Sequence, residues 1–123
     1  MKTTQAKKIG KKAFQFTSDS TGFKAPLVLV FGNRFMLEDP GIFEEVKQHF
    51  PTGHIVFGTT SGEIMNEHVS ENSVVLTAID FEKGSFEVKR KNVTDFDHND
   101  HDLGDYLMSE FSTKNLIHLF LVS

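Results

Sequence analysis

Leu27-Val28-Leu29-Val30-Phe31 is an unbroken apolar run, introduced by Pro26 and stopped by Gly32-Asn33-Arg34. Apolar on both faces, it reads as a strand inside a covered sheet. Downstream, Asp39-Pro40 opens a helix, because Asp is a good N-cap and Pro fits the first helical position. Ile42, Val46 and Phe50 succeed one another at i, i+4 and i+8 with Phe43 alongside, which gives one buried face. Glu44 and Glu45 sit near the positive end of the helix dipole and His49 near the negative end. Pro51 and Gly53 end the helix, and His54-Ile55-Val56-Phe57 returns as a second strand. Strand, helix, strand is a βαβ unit, so the two strands run parallel and their C-terminal ends share one sheet edge.

Working outward, Ala13, Phe14 and Phe16 predict a strand over Lys12 to Thr17, succeeded by the turn residues Ser18 to Gly22. Met65 to Asn72 is polar and reads as a loop. Ser73 to Ile79 is another two-sided apolar strand, and Glu82-Lys83-Gly84 reads as a hairpin turn into a strand carrying Phe86 and Val88. Asp95 to Asp102 is an acidic loop. Leu103, Tyr106, Leu107 and Phe111 mark a helix, and Leu116 to Val122 a last strand on which the chain stops. The expected fold is α/β: a mixed sheet containing the βαβ unit and a β-hairpin, with helices packed on it. Residues 1–11 are expected to be an unordered basic tail. Residues 12–123 are expected to form a single domain, incomplete at its C-terminus.

Composition narrows the function. The chain has 123 residues, enough for one ordinary domain. It has 13 Phe but one Tyr and no Trp, so most of its rings have no polar tip to bring to the surface. Without cysteine there is no disulfide framework and no thiolate metal site, which suits a cytoplasmic location. No run is long enough to cross a bilayer, so no membrane partner is expected. The first twelve residues carry five lysines and no acid, leaving -9 on the remainder against a total of -4. An acidic body argues against nucleic acid.

The candidate site comes directly after the second strand: Gly58-Thr59-Thr60-Ser61-Gly62-Glu63. Small residues let a ligand approach the backbone closely, and this turn shares its sheet edge with Gly32-Asn33-Arg34. Ligands of open α/β sheets sit at such edges. It is not a phosphate loop, because Glu63 stands where a Gly-Lys pair should continue. It reads G-x-T-x-G, one hydroxyl away from a serine-hydrolase elbow, but the segment after Ile64 does not read as the helix that elbow needs. The preferred reading is a ligand-binding set of Asn33, Arg34, Gly58, Thr59, Thr60, Ser61, Gly62 and Glu63. There Glu63 meets an amino group or orients a side chain, and Arg34 clamps a carboxylate. The plainer reading is a tight strand-to-loop junction with Glu63 holding a lysine or backbone amides, and Arg34 in a surface ion pair. Asp95, Asp97 and Asn99 begin like a calcium loop, but Asp100 and Tyr106 stand where Gly and Glu belong. His98 and His101 have zinc spacing; the favoured reading is a solvated loop whose Asn99 or Asp100 caps the next helix, with no metal or other cofactor. His54 and His118 read as structural histidines.

Leu27 to Gly32, the helix ending His49-Phe50-Pro51, His54 to Ile64, and Glu71 to Phe81 together resemble the N-terminal part of FIST sensory domains, with Thr59-Thr60-Ser61-Gly62-Glu63-Ile64 the most specific piece. The resemblance implies a bacterial, intracellular, non-catalytic domain that senses small molecules such as amino acids and feeds a signalling output domain or protein. Three features depart from the family pattern. Phe57-Gly58 replaces a Gly-Cys pair, Ser18 to Ala25 is too short for an Ala-rich helix, and the family's domain continues beyond this chain's last residue. Two alternatives stand beside the sensing reading. One is a hydrolase using Thr60 or Ser61; the other is an interaction module that forms homo-oligomers through Phe-rich strand faces.

Overall fold

A computed structural model describes residues 1–65 and 68–122, backbone and side chains, except the side chains of residues 68 and 69. The chain forms two compact units, Met1–Gly84 and one beginning at Ser85. In the first unit the strands are β1 (Lys2–Ile9), β2 (Gln15–Phe16), β3 (Leu27–Gly32), β4 (His54–Thr59), β5 (Glu63–Met65), β6 (His68–Ser70) and β7 (Ser73–Asp80). Its helices are α1 (Arg34–Leu37) and α2 (Pro40–His49). Five strands make one mixed sheet in the order β2-β1-β7-β3-β4, and β5 pairs with β6 in a separate antiparallel hairpin.

The βαβ unit is present as the sequence predicts. β3 and β4 are parallel, with Leu27 beside His54 and Gly32 beside Thr59. The Asp39 carboxylate accepts the Gly41 N–H at 2.9 Å, and Pro40 stands at the first helical position of α2. One face of the sheet holds the core. Val28, Val30, Val74, Leu76, Ala78 and Ala6 pack with Ile42 and Val46 of α2, and with Phe14 and Phe50. Gly32 is needed where β3 passes β7, since a Cβ there would lie 3.0 Å from the Ser73 carbonyl oxygen and from Val74 Cγ2.

The N-terminus departs from expectation. Residues 2–9 are not a tail but β1, paired with β7 through eight consecutive positions. The inward residues of β1 are Thr4, Ala6 and Lys8, a set with little apolar bulk to betray a strand. Lys8 is 8% exposed and tolerated because its ammonium bonds Glu45 of α2 at 2.7 Å and the Lys12 carbonyl at 2.8 Å. The turn out of β1 uses Gly10 at φ +55°, a conformation glycine adopts without strain. The strand expected over Lys12 to Thr17 shortens to Gln15–Phe16.

Other differences lie further on. The loop expected over Met65 to Asn72 instead holds the last residue of β5 and the whole of β6; residues 66 and 67 of that expectation lie outside the described residues. Neither the strand through Phe86 and Val88 nor that over Leu116 to Val122 forms among the described residues, so the hairpin at Glu82-Lys83-Gly84 is absent too. An apolar or alternating segment becomes a strand only when a partner takes up its backbone donors and acceptors. The hairpins present among the described residues are β1–β2 and β5–β6. The second unit carries a 3₁₀ turn, Val93–Phe96, and α3 (Asp100–Glu110), which begins three residues before its first apolar position. Residues 12–123, expected as a single domain, are thus divided between the two units. No described helix is long and apolar enough to cross a membrane.

Candidate functional site

Because β3 and β4 are parallel while β7 runs against them, the ends of β3 and β4 and the start of β7 meet at one edge. The Thr60 N–H bonds the Gly32 carbonyl at 3.0 Å, so the two stretches singled out by sequence are neighbours in the backbone. Their side chains then part. Asn33 caps α1, its Oδ1 accepting the Phe35 N–H at 2.9 Å. Arg34 projects into solvent and bonds Glu38 Oε1 through Nε at 2.8 Å; that hydrogen bond and charge hold its guanidinium pKa above the ordinary value. Thr59 and Ser61 are exposed, and Gly58 is buried beside Phe31.

Glu63 is the centre of the turn. It is 3% exposed, yet its partners among the described residues are all neutral. Thr60 Oγ1 donates to Oε1 at 2.8 Å, while Ser73 donates its hydroxyl to Oε2 at 2.7 Å and its N–H at 3.4 Å. The carboxylate thus ties the first residue of β5 back to the turn and across to the first residue of β7. This is the backbone-holding role of the plainer reading, carried out from inside the protein.

Glu63 also lines a concavity of about 320 Å³, with Phe31, Thr60, Gly62, Ile64, Val75 and Thr77. That volume falls at the lower end of small-molecule sites, about 300–1,000 Å³. Phe31, Val75 and Thr77 lie on the sheet face away from α2, where Phe31 pairs with Val75. Thr77 Oγ1 accepts from Gln5 Nε2 at 3.2 Å, which leaves its own proton to donate. Thr60, Gly62 and Glu63 are therefore brought to one wall; Asn33, Arg34, Thr59 and Ser61 are not. Phe31, Ile64, Val75 and Thr77 are not among the residues that sequence reasoning selects. Their signal is the two-sided apolar character of β3 and β7, which requires something to occupy the second face.

Other candidate chemistry is accounted for locally. The turn leads into strand β5, so the strand-to-helix geometry of a nucleophile elbow is not built. Asn99 caps α3, its Oδ1 accepting from the His101 N–H at 3.1 Å and the Asp102 N–H at 3.2 Å. His101 Nδ1 lies 3.4 Å from Asp105 Oδ2. Among the described residues no three His, Asp or Glu gather as a metal site. His54 is exposed at the start of β4, and His118 is exposed outside any strand.

The family model for the FIST N domain matches residues 26–123, from the residue before β3 onward. The chain belongs to the FIST N domain family. This is a family of sensory signal-transduction domains. No curated protein and no solved structure matches the chain. In this FIST N domain β1 and β2 precede the matched stretch, whereas the turn, Glu63, β7 and every residue lining the concavity fall within it.

Proposed function

We propose that the chain is a non-catalytic ligand-sensing domain of a bacterial cytoplasmic signal-transduction protein. It takes a small molecule bearing an amino group, the feature an amino acid shares with a simple amine, at the concavity beside Glu63 and passes occupancy to an output domain or protein. The observation that carries this reading is a buried carboxylate lining a concavity of ligand size in a member of a sensory family. Thr60, Gly62 and Glu63 contact the ligand, with Gly58 setting the backbone behind Phe31. Asn33, Arg34, Thr59 and Ser61 form the rim at most, since Asn33 and Arg34 are engaged with α1.

Occupancy would act on β7, because Glu63 is bonded to Ser73 and any pull on the carboxylate is felt where that strand begins. A ligand at a hundred times its dissociation constant stabilises the folded state by about 2.7 kcal/mol, which a melting experiment resolves. A thermal-shift screen of amino acids and small amines tests the reading, with Arg34→Ala expected to respond as the unaltered protein does. Absence of any shift from a folded sample contradicts it.

A further inference from the structure

We propose that the concavity selects a protonated amine on an apolar body and rejects a carboxylate, so that a simple alkylamine binds more tightly than the amino acid carrying the same side chain. This rests on reading the concavity as the ligand site, and it narrows what that site accepts. The reason begins with Glu63. A carboxylate that is 3% exposed normally has a cation beside it, because removing a charge from water costs more than neutral hydrogen bonds return. Here, among the described residues, the donors are two hydroxyls and one backbone amide. Oε2 takes two of those bonds and Oε1 takes one, so Oε1 keeps a lone pair for a further donor. A ligand ammonium supplies both a further bond and the charge that none of the described partners provides.

The rest of the lining gives a carboxylate no cation. Phe31, Val75 and Ile64 are apolar, the Thr60 hydroxyl proton is committed to Glu63, and Thr77 offers one neutral hydroxyl. Two cations that neighbour the site in the backbone are engaged elsewhere. Arg34 is paired with Glu38, and Lys7, beside Val75 on the same sheet face, bonds the Ser70 hydroxyl and is not part of the lining. A zwitterion would therefore bring its carboxylate next to Glu63 without compensation, while a monoamine would bring only the favourable charge and an alkyl group for the apolar wall.

The test is a calorimetric titration of the full chain with four matched probes: isopentylamine, leucine, isocaproate and isopentanol. The expected result is that isopentylamine binds at least about tenfold more tightly than the other three, a difference of about 1.4 kcal/mol. The preference should disappear in Glu63→Gln and persist in Lys7→Gln. Leucine or isocaproate binding as tightly as the amine would overturn the charge selectivity while leaving the concavity as a ligand site. Isopentanol matching the amine would do the same without needing any variant. Retention of the amine preference in folded Glu63→Gln would overturn the assignment to Glu63. Binding of none of the four would overturn both the selectivity and the ligand-site reading.

Discussion

Replacing Glu63 with alanine removes the acceptor for three hydrogen bonds at once. The consequences differ by partner. Thr60 is half-buried and can turn its hydroxyl to water, but Ser73 is fully buried and cannot. Its N–H and its O–H both lose their acceptor inside the protein, and each orphaned buried group costs about 1–3 kcal/mol. The expected loss is therefore about 3 kcal/mol for Glu63→Ala. Glu63→Gln keeps the shape and one carbonyl oxygen for Ser73, so its loss should be about 1 kcal/mol. The assay is urea unfolding monitored by circular dichroism, read as a change in midpoint at constant slope. A double-mutant cycle with Ser73→Ala adds a second readout, since directly bonded residues should show a coupling of about 0.5–3 kcal/mol. Glu63→Ala within about 0.5 kcal/mol of the unaltered protein, or no coupling to Ser73, would refute the claim that this carboxylate locks the turn to β7.

The fold sets three further outcomes. Deleting residues 1–9 should abolish cooperative unfolding, because it strips β1 from the whole length of β7; an unordered tail would be removed without effect. Lys8→Ala leaves Glu45 half-buried without its cation and should cost roughly 1–3 kcal/mol in chemical denaturation, whereas Arg34→Ala, losing a solvent-exposed pair, should leave the midpoint unchanged. Gly32→Ala drives a methyl against the Ser73 carbonyl and Val74, so a loss of about 1–3 kcal/mol is expected in the same measurement.

The parts of this fold that can be read from sequence are those whose local chemistry and burial agree. β3, α2 and β4 carry two-sided apolar strands and a capped, Pro-started helix, and they fold as those signals direct. β1 is illegible because its inward positions are Thr4, Ala6 and Lys8, and the one countercharge that admits Lys8 among the described residues is Glu45, thirty-seven residues away. The hairpin of β5 and β6 has three residues on each side, too few for any alternation to register. Leu116 to Val122 shows the converse: apolar enough for a strand, it takes no strand conformation among the described residues.

At the site, the sequence identifies the turn and the edge it shares with β3, because parallel pairing is dictated by the βαβ order. It does not separate Glu63, which turns inward, from Arg34, which turns out to Glu38. That choice depends on Ser73, ten residues on, arriving at the same edge to receive the carboxylate. Phe31, Val75 and Thr77 are legible only as strand residues, since membership of a wall depends on which strands become neighbours.

The central claim is that the concavity beside Glu63 is the ligand site. Its most direct measurement is a titration of isotopically labelled protein with isopentylamine, monitored by amide chemical shifts. Binding there predicts saturable changes concentrated at Phe31, Thr60, Glu63, Val75 and Thr77, with Arg34 and Glu38 unmoved. Changes centred on α1, or absence of saturable change with both isopentylamine and leucine, would contradict it.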